Sequence, residues 1–516
     1  MRTLREMIND NAQAYPNKIA FIFEDRRHTF REVNRRVNSL VNALADLGVQ
    51  KGDRVGVLAY NCPQYFEVFG LAKAGRVCVP LNYRSVGREL AYLINNSEIN
   101  TLVLESVFVD VVNSIRHQLD AVRNLICLGA EVEGMTSYEE LTTSFPPNEP
   151  VDGVAVDDPA ALYYTSGTTG HPKGAIHTHK SLMAEIGSHR GSFGSDDIVL
   201  CVMPFFHVGG SAAHLFPAFA NGATILIHRT FDETEVLDAI QNHKVTYVGL
   251  VPAMIIRLLE HPDLDQYDLS SLRTIMYVGA PMPLEALRRG IERFGQVFSQ
   301  LFGQTETLNV AVLEKEDHRL EGSAKEVKRL ESAGKPLGQG EMRIVDAHGD
   351  DVSVGEVGEI VARSDRMMKG YWRMPEATAE AIEDGWLHTG DVGRMDEDGY
   401  IYLVDRKKDM IISGGENIYS REVEEVLYMH PAVLEAAVVG VPDEKWGESV
   451  KALVVLRPGA EASEEEIIEF CKDYMASYKK PRSVEFWDDF PRTGSGKIRK
   501  SEIRESYWEG CEKRVH

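Results

Sequence analysis

Thr165-Ser166-Gly167-Thr168-Thr169-Gly170-His171-Pro172-Lys173-Gly174 is the stretch on which the interpretation of this chain depends. It contains three glycines, four hydroxyl side chains and one lysine, and the apolar run before it, residues 160–164, predicts a buried strand. Glycine lets the backbone adopt positive φ and approach a ligand closely, and consecutive N–H groups in such a loop bind anions. The stretch therefore predicts a loop that binds a polyphosphate. It is not a Walker A loop, which requires Gly-Lys-Ser/Thr, because Pro172 precedes Lys173.

Length and composition limit the class of protein. A chain of 516 residues is too long for a single core and implies at least two domains. With 43% hydrophobic and 26% charged residues, it has the composition of a soluble globular protein. The net charge of −23 argues against a nucleic acid as partner. The N-terminus lacks the apolar segment of a signal peptide, and histidines and prolines interrupt the most apolar long stretch, residues 200–227, so we expect no membrane span.

Local positive charge must attract anionic ligands to a chain with so negative a total charge. A basic cluster follows the phosphate loop, and its location favours contact with a ligand over an ordinary solvated surface. Its members are His171, Lys173, His177, His179 and Lys180.

The six cysteines form no C-x-x-C pair and no His/Cys cluster. This pattern predicts buried, reduced thiols and a cytoplasmic protein.

Strand and helix patterns alternate to about residue 300, which predicts α/β layers with parallel sheets. Apolar residues at helical spacing over residues 30–47 predict a helix that Gly48 ends. Further along the chain, strand patterns at 436–441 and 452–456 and a helical pattern at 464–474 predict a small α+β domain. We therefore expect a large N-terminal domain over residues 1–405 and a small, mobile C-terminal domain over residues 406–516.

A second group of candidate residues follows another apolar strand pattern, in Val202-Met203-Pro204-Phe205-Phe206-His207-Val208-Gly209-Gly210. The spacing of His207 alone is typical of an ordinary loop histidine. Gly209, Gly210 and Ser211 are small, so we expect space for a bulky ligand group beside them.

Two further predicted strands end in turn-forming or polar residues. Residues 274–283 predict a strand that leaves its sheet through the turn Gly279-Ala280-Pro281. Ligands of open α/β sheets bind at such carboxyl ends. Leu301-Phe302-Gly303-Gln304-Thr305-Glu306 follows, and the carboxylate of Glu306 is the hard oxygen ligand that Mg²⁺ prefers.

The last motifs lie between residues 385 and 498. Asp391 can accept hydrogen bonds from two vicinal hydroxyls, although an Asx-turn is the ordinary role of such a residue. The charge run Asp405-Arg406-Lys407-Lys408-Asp409 is typical of a solvated linker. Gly414-Gly415 permits close approach of a backbone or of a narrow ligand arm. Lys497 lies in Pro491-Arg492-Thr493-Gly494-Ser495-Gly496-Lys497-Ile498, a pattern that is commonly an exposed loop.

Together these motifs resemble the signatures of the acyl-adenylate-forming enzymes, the group that contains acyl-CoA synthetases, luciferases and peptide-synthetase adenylation domains. The resemblance covers nearly the whole chain. It implies an adenylating-enzyme fold with ATP, Mg²⁺ and coenzyme A as cofactors. It also implies that Lys408 is the hinge pivot, that Lys497 reaches into the large domain during adenylation, and that His207 lies between the carboxylate and the thiol channel.

The resemblance assigns the remaining site residues by ligand. Thr305 would donate to the α-phosphate and Glu306 would bind Mg²⁺. The phosphates would be bound by Thr165, Ser166, Gly167, Thr168, Thr169, Gly170 and Lys173. The adenine and acyl pocket would be bounded by Gly279, Ala280, Pro281, Phe302 and Gly303. Asp391 and Arg406 would bind the ribose, and Gly414 and Gly415 would line the pantetheine path.

The expected function is that of an AMP-forming acyl-CoA synthetase, which converts an acid and ATP to acyl-AMP and pyrophosphate and then transfers the acyl group to CoA. A medium- or long-chain fatty acid is the first choice and an aromatic or alicyclic acid the second. A non-catalytic relative that only binds nucleotide and acid is the alternative from another class, and the intact motifs argue against it. No carrier domain is expected after the C-terminal domain, and a homodimer is a working assumption that no pattern specifies.

Overall fold

The computed structural model describes residues 2–165, 172–189, 191–406, 408–414, 416–443, 445–494 and 496–508. Its strands are β1 Ile19–Phe23, β2 Arg26–Thr29, β3 Arg54–Leu58, β4 Val77–Pro80, β5 Ile99–Glu105, β6 Asn124–Leu128, β7 Thr136–Ser137, β8 Pro159–Tyr164, β9 Gly174–Thr178, β10 Ile198–Cys201, β11 Thr224–Ile227, β12 Tyr247–Leu250, β13 Thr274–Val278, β14 Phe298–Gln304, β15 Leu308–Leu313, β16 Lys335–Pro336, β17 Glu341–Val345, β18 Gly358–Arg363, β19 Ile382–Glu383, β20 Trp386–Met395, β21 Ile401–Arg406, β22 Ile411–Ser413, β23 Glu416–Ile418, β24 Val433–Asp443, β25 Gly447–Leu456 and β26 Ser483–Phe486.

The α-helices are α1 Leu4–Ala14, α2 Phe30–Asp46, α3 Pro63–Phe69, α4 Gly87–Asn96, α5 Val109–Ile115, α6 Tyr138–Ser144, α7 His179–Ser188, α8 Phe216–Ala220, α9 Glu233–His243, α10 Pro252–Leu259, α11 Leu284–Phe294, α12 Ala324–Lys328, α13 Pro375–Ala381, α14 Ser420–Tyr428, α15 Glu464–Tyr474 and α16 Lys500–Trp508. A short π-helix spans Ser211–Leu215. No helix within the described ranges is long and apolar enough to cross a membrane.

Two large, mainly parallel sheets form the body of the N-terminal part. The first has the order β7-β6-β5-β3-β4-β8-β9 and is parallel except for the β8–β9 pair. The second has the order β16-β15-β14-β13-β12-β10-β11-β1-β2 and is parallel from β14 to β1. The predicted α/β layers with parallel sheets are confirmed.

Helix α2 shows how local sequence determines these layers. Thr29 and Glu32 form a reciprocal capping box at its start, with the Glu32 Oε2 accepting from the Thr29 N–H at 2.7 Å. Its apolar stripe is fully buried in the largest core cluster, which takes side chains from both large sheets. Gly48, at φ +81°, ends the helix as predicted.

A third sheet follows that the sequence patterns did not predict. Strands β17 to β21 form a five-stranded antiparallel sheet in which β20 pairs with β18, β19 and β21. A tight turn at residues 396–400 joins β20 to β21.

The C-terminal residues form a small α+β domain on a sheet of their own, β23-β22-β25-β24 with β26 beside β25. The helix α15 covers residues 464–474 as predicted, and Ser463 caps it. The expected class, a large N-terminal α/β domain with a smaller C-terminal α+β domain, is therefore confirmed.

Candidate active site

The candidate residues come together because their motifs follow the carboxyl ends of parallel strands. Thr165 follows β8, residues 202–207 follow β10, Val251 follows β12 and Gly279 follows β13. The Thr305-Glu306 pair follows β14. Carboxyl ends of parallel strands in open sheets are where ligands bind.

Thr305 and Glu306 are held from two sides by backbone and side-chain hydrogen bonds. The ring Nε2 of His177 donates to the Thr305 carbonyl at 2.7 Å. On the other side, the Met368 N–H donates to the Glu306 carbonyl at 2.7 Å. The Tyr371 hydroxyl also donates to the Glu306 Oε1 at 2.8 Å. The carboxylate therefore has a defined orientation.

Gly303 lies just before this turn, where its lack of a side chain lets β14 pack closely against β15. A Cβ built on Gly303 would lie 1.8 Å from the Leu308 carbonyl oxygen, so no other residue fits against the facing strand β15. Phe302 packs partly against the core of the antiparallel sheet. The contacts of both residues are with the facing strand and the core, so their predicted place in the wall of the adenine and acyl pocket stays a prediction.

The ends of the phosphate loop pair with each other. The Thr165 N–H donates to the Lys173 carbonyl at 2.9 Å, so the antiparallel pairing of β8 with β9 continues to the two ends of the loop. The Lys173 ammonium lies over the Tyr371 ring, 5.0 Å from its centroid. Ser166, Gly167, Thr168, Thr169, Gly170 and His171 lie outside the described residues, so their predicted contacts remain predictions.

His207 is a neutral imidazole. Burial, together with the nearby Lys497 charge, lowers its pKa to about 3. Its Nδ1 accepts from the Gly209 N–H at 3.1 Å, which places the ring proton on Nε2. A neutral Nε2–H is a donor suited to a carboxylate or carbonyl oxygen.

Lys497 of the C-terminal domain reaches the turn after β13. A Cβ on Gly279, whose φ is +97°, would lie 3.4 Å from Lys497 Cε and 3.7 Å from Val251 Cγ1. The absence of a side chain at Gly279 thus makes room for the lysine. Ala280 and the exposed Pro281 continue the same turn.

The loop around Lys497 is itself anchored on the large domain. The Arg84 guanidinium donates to the Gly494 carbonyl. A Cβ on Gly494 would lie 2.5 Å from Asn82 Nδ2 and 2.9 Å from Phe206 Cζ. Within the loop, the Thr493 N–H donates to the Lys497 carbonyl at 2.7 Å.

The electrostatic surroundings of Lys497 are mixed. Burial and the neighbouring Arg406 guanidinium lower its pKa to about 8, while Asp391 and Glu306 act in the opposite direction. Lys408 behaves similarly, since burial and Arg406 lower its pKa to about 8. Two lysines and one arginine therefore concentrate positive charge at the point where the two domains meet.

Asp391, Arg406 and Gln304 form the predicted ribose side of the site. Asp391 is only 6% exposed, and its Oδ2 accepts from Gln304 Nε2 at 2.7 Å. Arg406 Nε lies 3.4 Å from Asp391 Oδ1, because the two residues face each other across the β20–β21 pair. Gln304 was not singled out in the sequence, although it lies inside a quoted motif.

Among the described residues of the charge run at 405–409, Asp405, Lys408 and Asp409 are buried or half-buried and only the Arg406 side chain is exposed, so the prediction of a solvated linker was wrong for these three. Asp405 is 9% exposed and accepts hydrogen bonds from the backbone and hydroxyl of Ser420. The Arg504 guanidinium donates to the Lys408 carbonyl at 2.7 Å and pairs with Asp409. Ser420 and Arg504 of the C-terminal domain thus bind the two carboxylates of this run, which the local sequence could not indicate.

The basic cluster after the phosphate loop was also predicted incorrectly. His177 and His179 are fully buried, and burial lowers the pKa of each to about 4, so they are neutral. Lys180 pairs with Asp365 at 2.8 Å. Of the described members, Lys173 lies near Glu306 through Tyr371, and the neutral His177 contacts the Thr305 carbonyl.

Gly210 does not border free space, in contrast to the expectation of room for an acyl group. Its Cβ would lie 2.3 Å from the Pro204 carbonyl oxygen, so its small size serves backbone packing. The neighbouring Ser211 is buried and bonds to Tyr163 Oη at 2.9 Å. A Cβ on Gly209 would lie 3.3 Å from His207 Nδ1 and 3.7 Å from Val278 Cγ1, so room for an acyl group beside Gly209 stays a prediction.

Gly414, at φ +62°, lies against an indole ring. A Cβ there would be 2.6 Å from Trp446 Cε3, and the Gly414 N–H donates to the Trp446 carbonyl at 2.8 Å. Gly415 lies outside the described residues. Neither Trp446 nor Tyr371 had a sequence signal, because an isolated aromatic residue has no characteristic spacing.

Comparison with known proteins gives a consistent result. Residues 8–372 match the family model "AMP-binding enzyme", and residues 422–497 match "AMP-binding enzyme C-terminal domain". A feruloyl-CoA synthase from an Amycolatopsis species is 40% identical over 483 residues, which cover 93% of this chain and 94% of that protein. A medium/long-chain-fatty-acid–CoA ligase from Mycobacterium tuberculosis is 36% identical over 519 residues, covering 97% of this chain and 89% of the relative.

Solved structures agree in fold. The crystal structure of an anthranilate CoA ligase in complex with anthranoyl-AMP superposes with a TM-score of 0.90 at 28% identity. The match covers 98% of this chain and 97% of that one.

Proposed function

Because this chain belongs to the AMP-binding enzyme family, we propose that it is an AMP-forming carboxylic acid–CoA ligase. The observation that carries the proposal is the convergence of Lys497 with Glu306, Asp391 and Arg406, whose charges all act on the lysine. These residues come from both domains and from four separate motifs of the chain.

In the first half-reaction, a carboxylate oxygen of the acid attacks the α-phosphorus of ATP. An acyl–AMP anhydride bond forms, the bond to the β-phosphate oxygen breaks, and pyrophosphate leaves. This step needs alignment and cancellation of spreading negative charge more than covalent help from the protein. Lys497, the Thr305 hydroxyl and the phosphate loop with Lys173 supply these effects.

In the second half-reaction, the CoA thiol gives up its proton and its sulfur attacks the acyl carbon. The thioester bond forms and AMP leaves with the bonding electrons. His207, whose neutral Nε2–H can donate to an acyl oxygen, would orient the carbonyl. We propose that Gly414 and Gly415 line the path of the thiol arm, supported by the bare backbone of Gly414 against Trp446.

Mg²⁺ fits the donor set around Glu306. The described residues hold no cluster of three or more His, Cys, Asp or Glu side chains that could form an all-protein metal cage. A single oriented carboxylate beside a phosphate loop suits Mg²⁺, which takes few protein ligands and completes its shell with phosphates and water. When bound, the ion would offset negative charge on the phosphates.

The two half-reactions need different access to one carbonyl carbon, so we propose that the domains alternate between two poses. We place the boundary between residues 405 and 406 and the hinge near Lys408. The hydrogen bond from the Arg504 guanidinium to the Lys408 carbonyl supports a pivot there, because it connects helix α16 of the C-terminal domain to the proposed hinge. The present pose, with Lys497 over Gly279, is the adenylating one.

For the acid, a medium- or long-chain fatty acid is the first candidate, supported by the fatty-acid ligase at 36% identity. An aromatic or alicyclic acid is the second, and one observation favours it. A Cβ on Gly249 would lie 2.7 Å from His214 Nδ1, so the buried His214 ring fills this face of β12. Gly249 and Val251 share a face and lie roughly 7 Å apart along the strand. A pocket that ends there suits a compact acid.

Pyrophosphate release tests the proposal directly. The purified chain is assayed with MgATP and a panel of fatty, aromatic and alicyclic acids, with and without CoA. We expect acid-dependent pyrophosphate release, and AMP turnover that CoA accelerates for the preferred acid. Nucleotide and acid binding without pyrophosphate release would establish the non-catalytic alternative instead. The cytoplasmic location and the homodimer remain predictions.

A further inference from the structure

We propose that Tyr371 is a positioning residue that orients both Lys173 and Glu306 for ATP and its metal. The inference rests on the proposed function, because it concerns the same phosphate site. Tyr371 had no assigned role in the sequence. Its ring and its hydroxyl contact two groups of opposite charge that come from two other motifs.

The segment that carries Tyr371 is fixed to the strand after the phosphate loop. The Lys369 N–H donates to the Ile176 carbonyl at 2.8 Å, and the Ile176 N–H donates to the Gly370 carbonyl at 3.0 Å. The Trp372 N–H donates to the Gly174 carbonyl at 2.7 Å. Residues 369–372 therefore run antiparallel beside β9 and pair with its backbone. The position of Tyr371 relative to Lys173 follows from that pairing.

The hydroxyl of Tyr371 orients Glu306. It donates to Oε1 at 2.8 Å, while the Met368 N–H holds the Glu306 carbonyl at 2.7 Å. One segment thus binds both the backbone and the carboxylate of the same residue. A donor on one carboxylate oxygen limits rotation of the group and directs the other oxygen, which is how outer contacts tune a metal ligand.

The ring of Tyr371 orients Lys173. The ammonium lies 5.0 Å from the ring centroid, within the range of a cation–π contact. This contact holds the charge without using the N–H donors of the lysine, so they remain able to bind phosphate oxygens. The same side chain therefore places a cation and an anion at a fixed separation before ATP binds.

The two contacts can be separated by substitution. Tyr371→Phe removes the hydroxyl and keeps the ring, whereas Tyr371→Leu removes both. Tyr400→Phe is a matched control, because the Tyr400 hydroxyl donates to Asp317 Oδ1 at 2.7 Å and Lys335 lies 4.5 Å from its ring centroid, outside the residues assigned to the site.

The readout besides activity is ATP affinity, measured by calorimetry with the acid omitted, in EDTA and in Mg²⁺. For Tyr371→Phe we expect the ATP affinity in EDTA to match that of the unsubstituted chain. The increase in ATP affinity on adding Mg²⁺ should be about tenfold smaller than in the unsubstituted chain, because a contact that orients a metal ligand has an effect of this size. For Tyr371→Leu we expect weaker ATP binding already in EDTA. Tyr400→Phe should change neither value.

Adenylation rates measured against Mg²⁺ concentration complete the test. Tyr371→Phe should need about tenfold more Mg²⁺ for half-maximal pyrophosphate release, with ATP KM at saturating Mg²⁺ unchanged. An unaltered Mg²⁺ response in Tyr371→Phe, or equal effects in Tyr371→Phe and Tyr400→Phe, would overturn the proposal. If the unsubstituted chain binds ATP with Mg²⁺ assistance but releases no pyrophosphate, the proposed function fails while the binding comparison still decides the role of Tyr371.

Discussion

The pKa values of the titratable groups in the site differ from those of free side chains because these groups are buried. His177 and His207 are neutral, so they act as hydrogen-bond donors and not as cations. Lys497 keeps a charge at neutral pH but holds its proton less firmly than a free lysine. Burial and neighbouring charges, which residue identity does not specify, set these states.

The pKa of Lys497 predicts a pH dependence of adenylation. The ammonium is the active form, and its pKa is lowered to about 8, so activity should be fully present below that pH and fall as pH rises through about 8. The profile of kcat/KM for ATP checks this, since it reports the free enzyme. A profile that stays level to about pH 10, the ordinary range of lysine, would contradict it. Lys497→Arg should remove the decline if it retains activity, because arginine stays charged.

Glu306→Gln tests the metal ligand. The substitution keeps the shape and one oxygen for the Tyr371 hydroxyl but removes the charge that Mg²⁺ requires. We expect adenylation to slow by about 100-fold or more and its Mg²⁺ dependence to weaken. An unchanged rate and an unchanged Mg²⁺ response would remove Glu306 from the site. Glu341→Gln, which removes an exposed carboxylate paired with Arg363 within the large domain, is the control for loss of a carboxylate elsewhere.

At the scale of elements, helices with a strong apolar periodicity could be predicted from the sequence. Strands that depend on partners distant in the chain could not. Helices α2 and α15 were predicted because a long apolar stripe and a capping residue agree over each of them. The antiparallel sheet of β17–β21 was missed, because its short strands are defined by partners distant in the chain. The place of Lys497 was expected from the family resemblance, because its own pattern is that of an exposed loop. Tyr371 and Gln304, which act through other residues, had no signal in the sequence.

The packing of His214 against β12 predicts a change in acid preference. In His214→Ala the space facing Gly249 opens, so the pocket should lengthen toward Tyr247, whose ring centroid is 5.4 Å from that of His214. We expect relative kcat/KM to shift toward longer acids, together with a lower Tm from the lost packing. Ala218→Gly, on the neighbouring helix α8, serves as a packing control. Reduced activity with an unaltered order of preference would show that His214 is structural only.

At the scale of the whole molecule, the C-terminal domain is fixed by few contacts. Arg457 pairs with Glu260, the Leu284 N–H approaches Glu425 Oε2 at 3.5 Å, and Arg84 binds the Gly494 carbonyl. An ion pair near the surface, such as Arg457–Glu260, contributes about 0–1 kcal/mol, and the other two contacts are single hydrogen bonds. Such an interface can open on the timescale of turnover, as the proposed alternation requires.

Two substitutions should separate the half-reactions. Lys497→Ala removes the charge at the α-phosphate, and Gly494→Val introduces a clash with Asn82 and Phe206 in the present pose. We expect both to slow pyrophosphate release by about 100-fold and to spare thioester formation from synthetic acyl-AMP and CoA. Gly187→Ala, at a glycine with no atom within 4 Å of its Cβ position, is the control. Equal loss of both half-reactions would count against domain alternation.

The cluster of positive charge formed by Lys173, Arg406, Lys408 and Lys497 lies in a chain of net charge −23. This contrast affects the rate at which ATP associates with the site. An approaching ATP meets repulsion from the whole molecule at long range and attraction only near the cleft. The screening length falls from about 30 Å at 0.01 M salt to about 8 Å at 0.15 M, so salt should weaken the repulsion first. The association rate constant of ATP, followed by stopped flow, should therefore increase over this range, opposite to the behaviour of an enzyme that steers its anionic ligand electrostatically. A decrease would mean that the cluster already dominates the field at a distance.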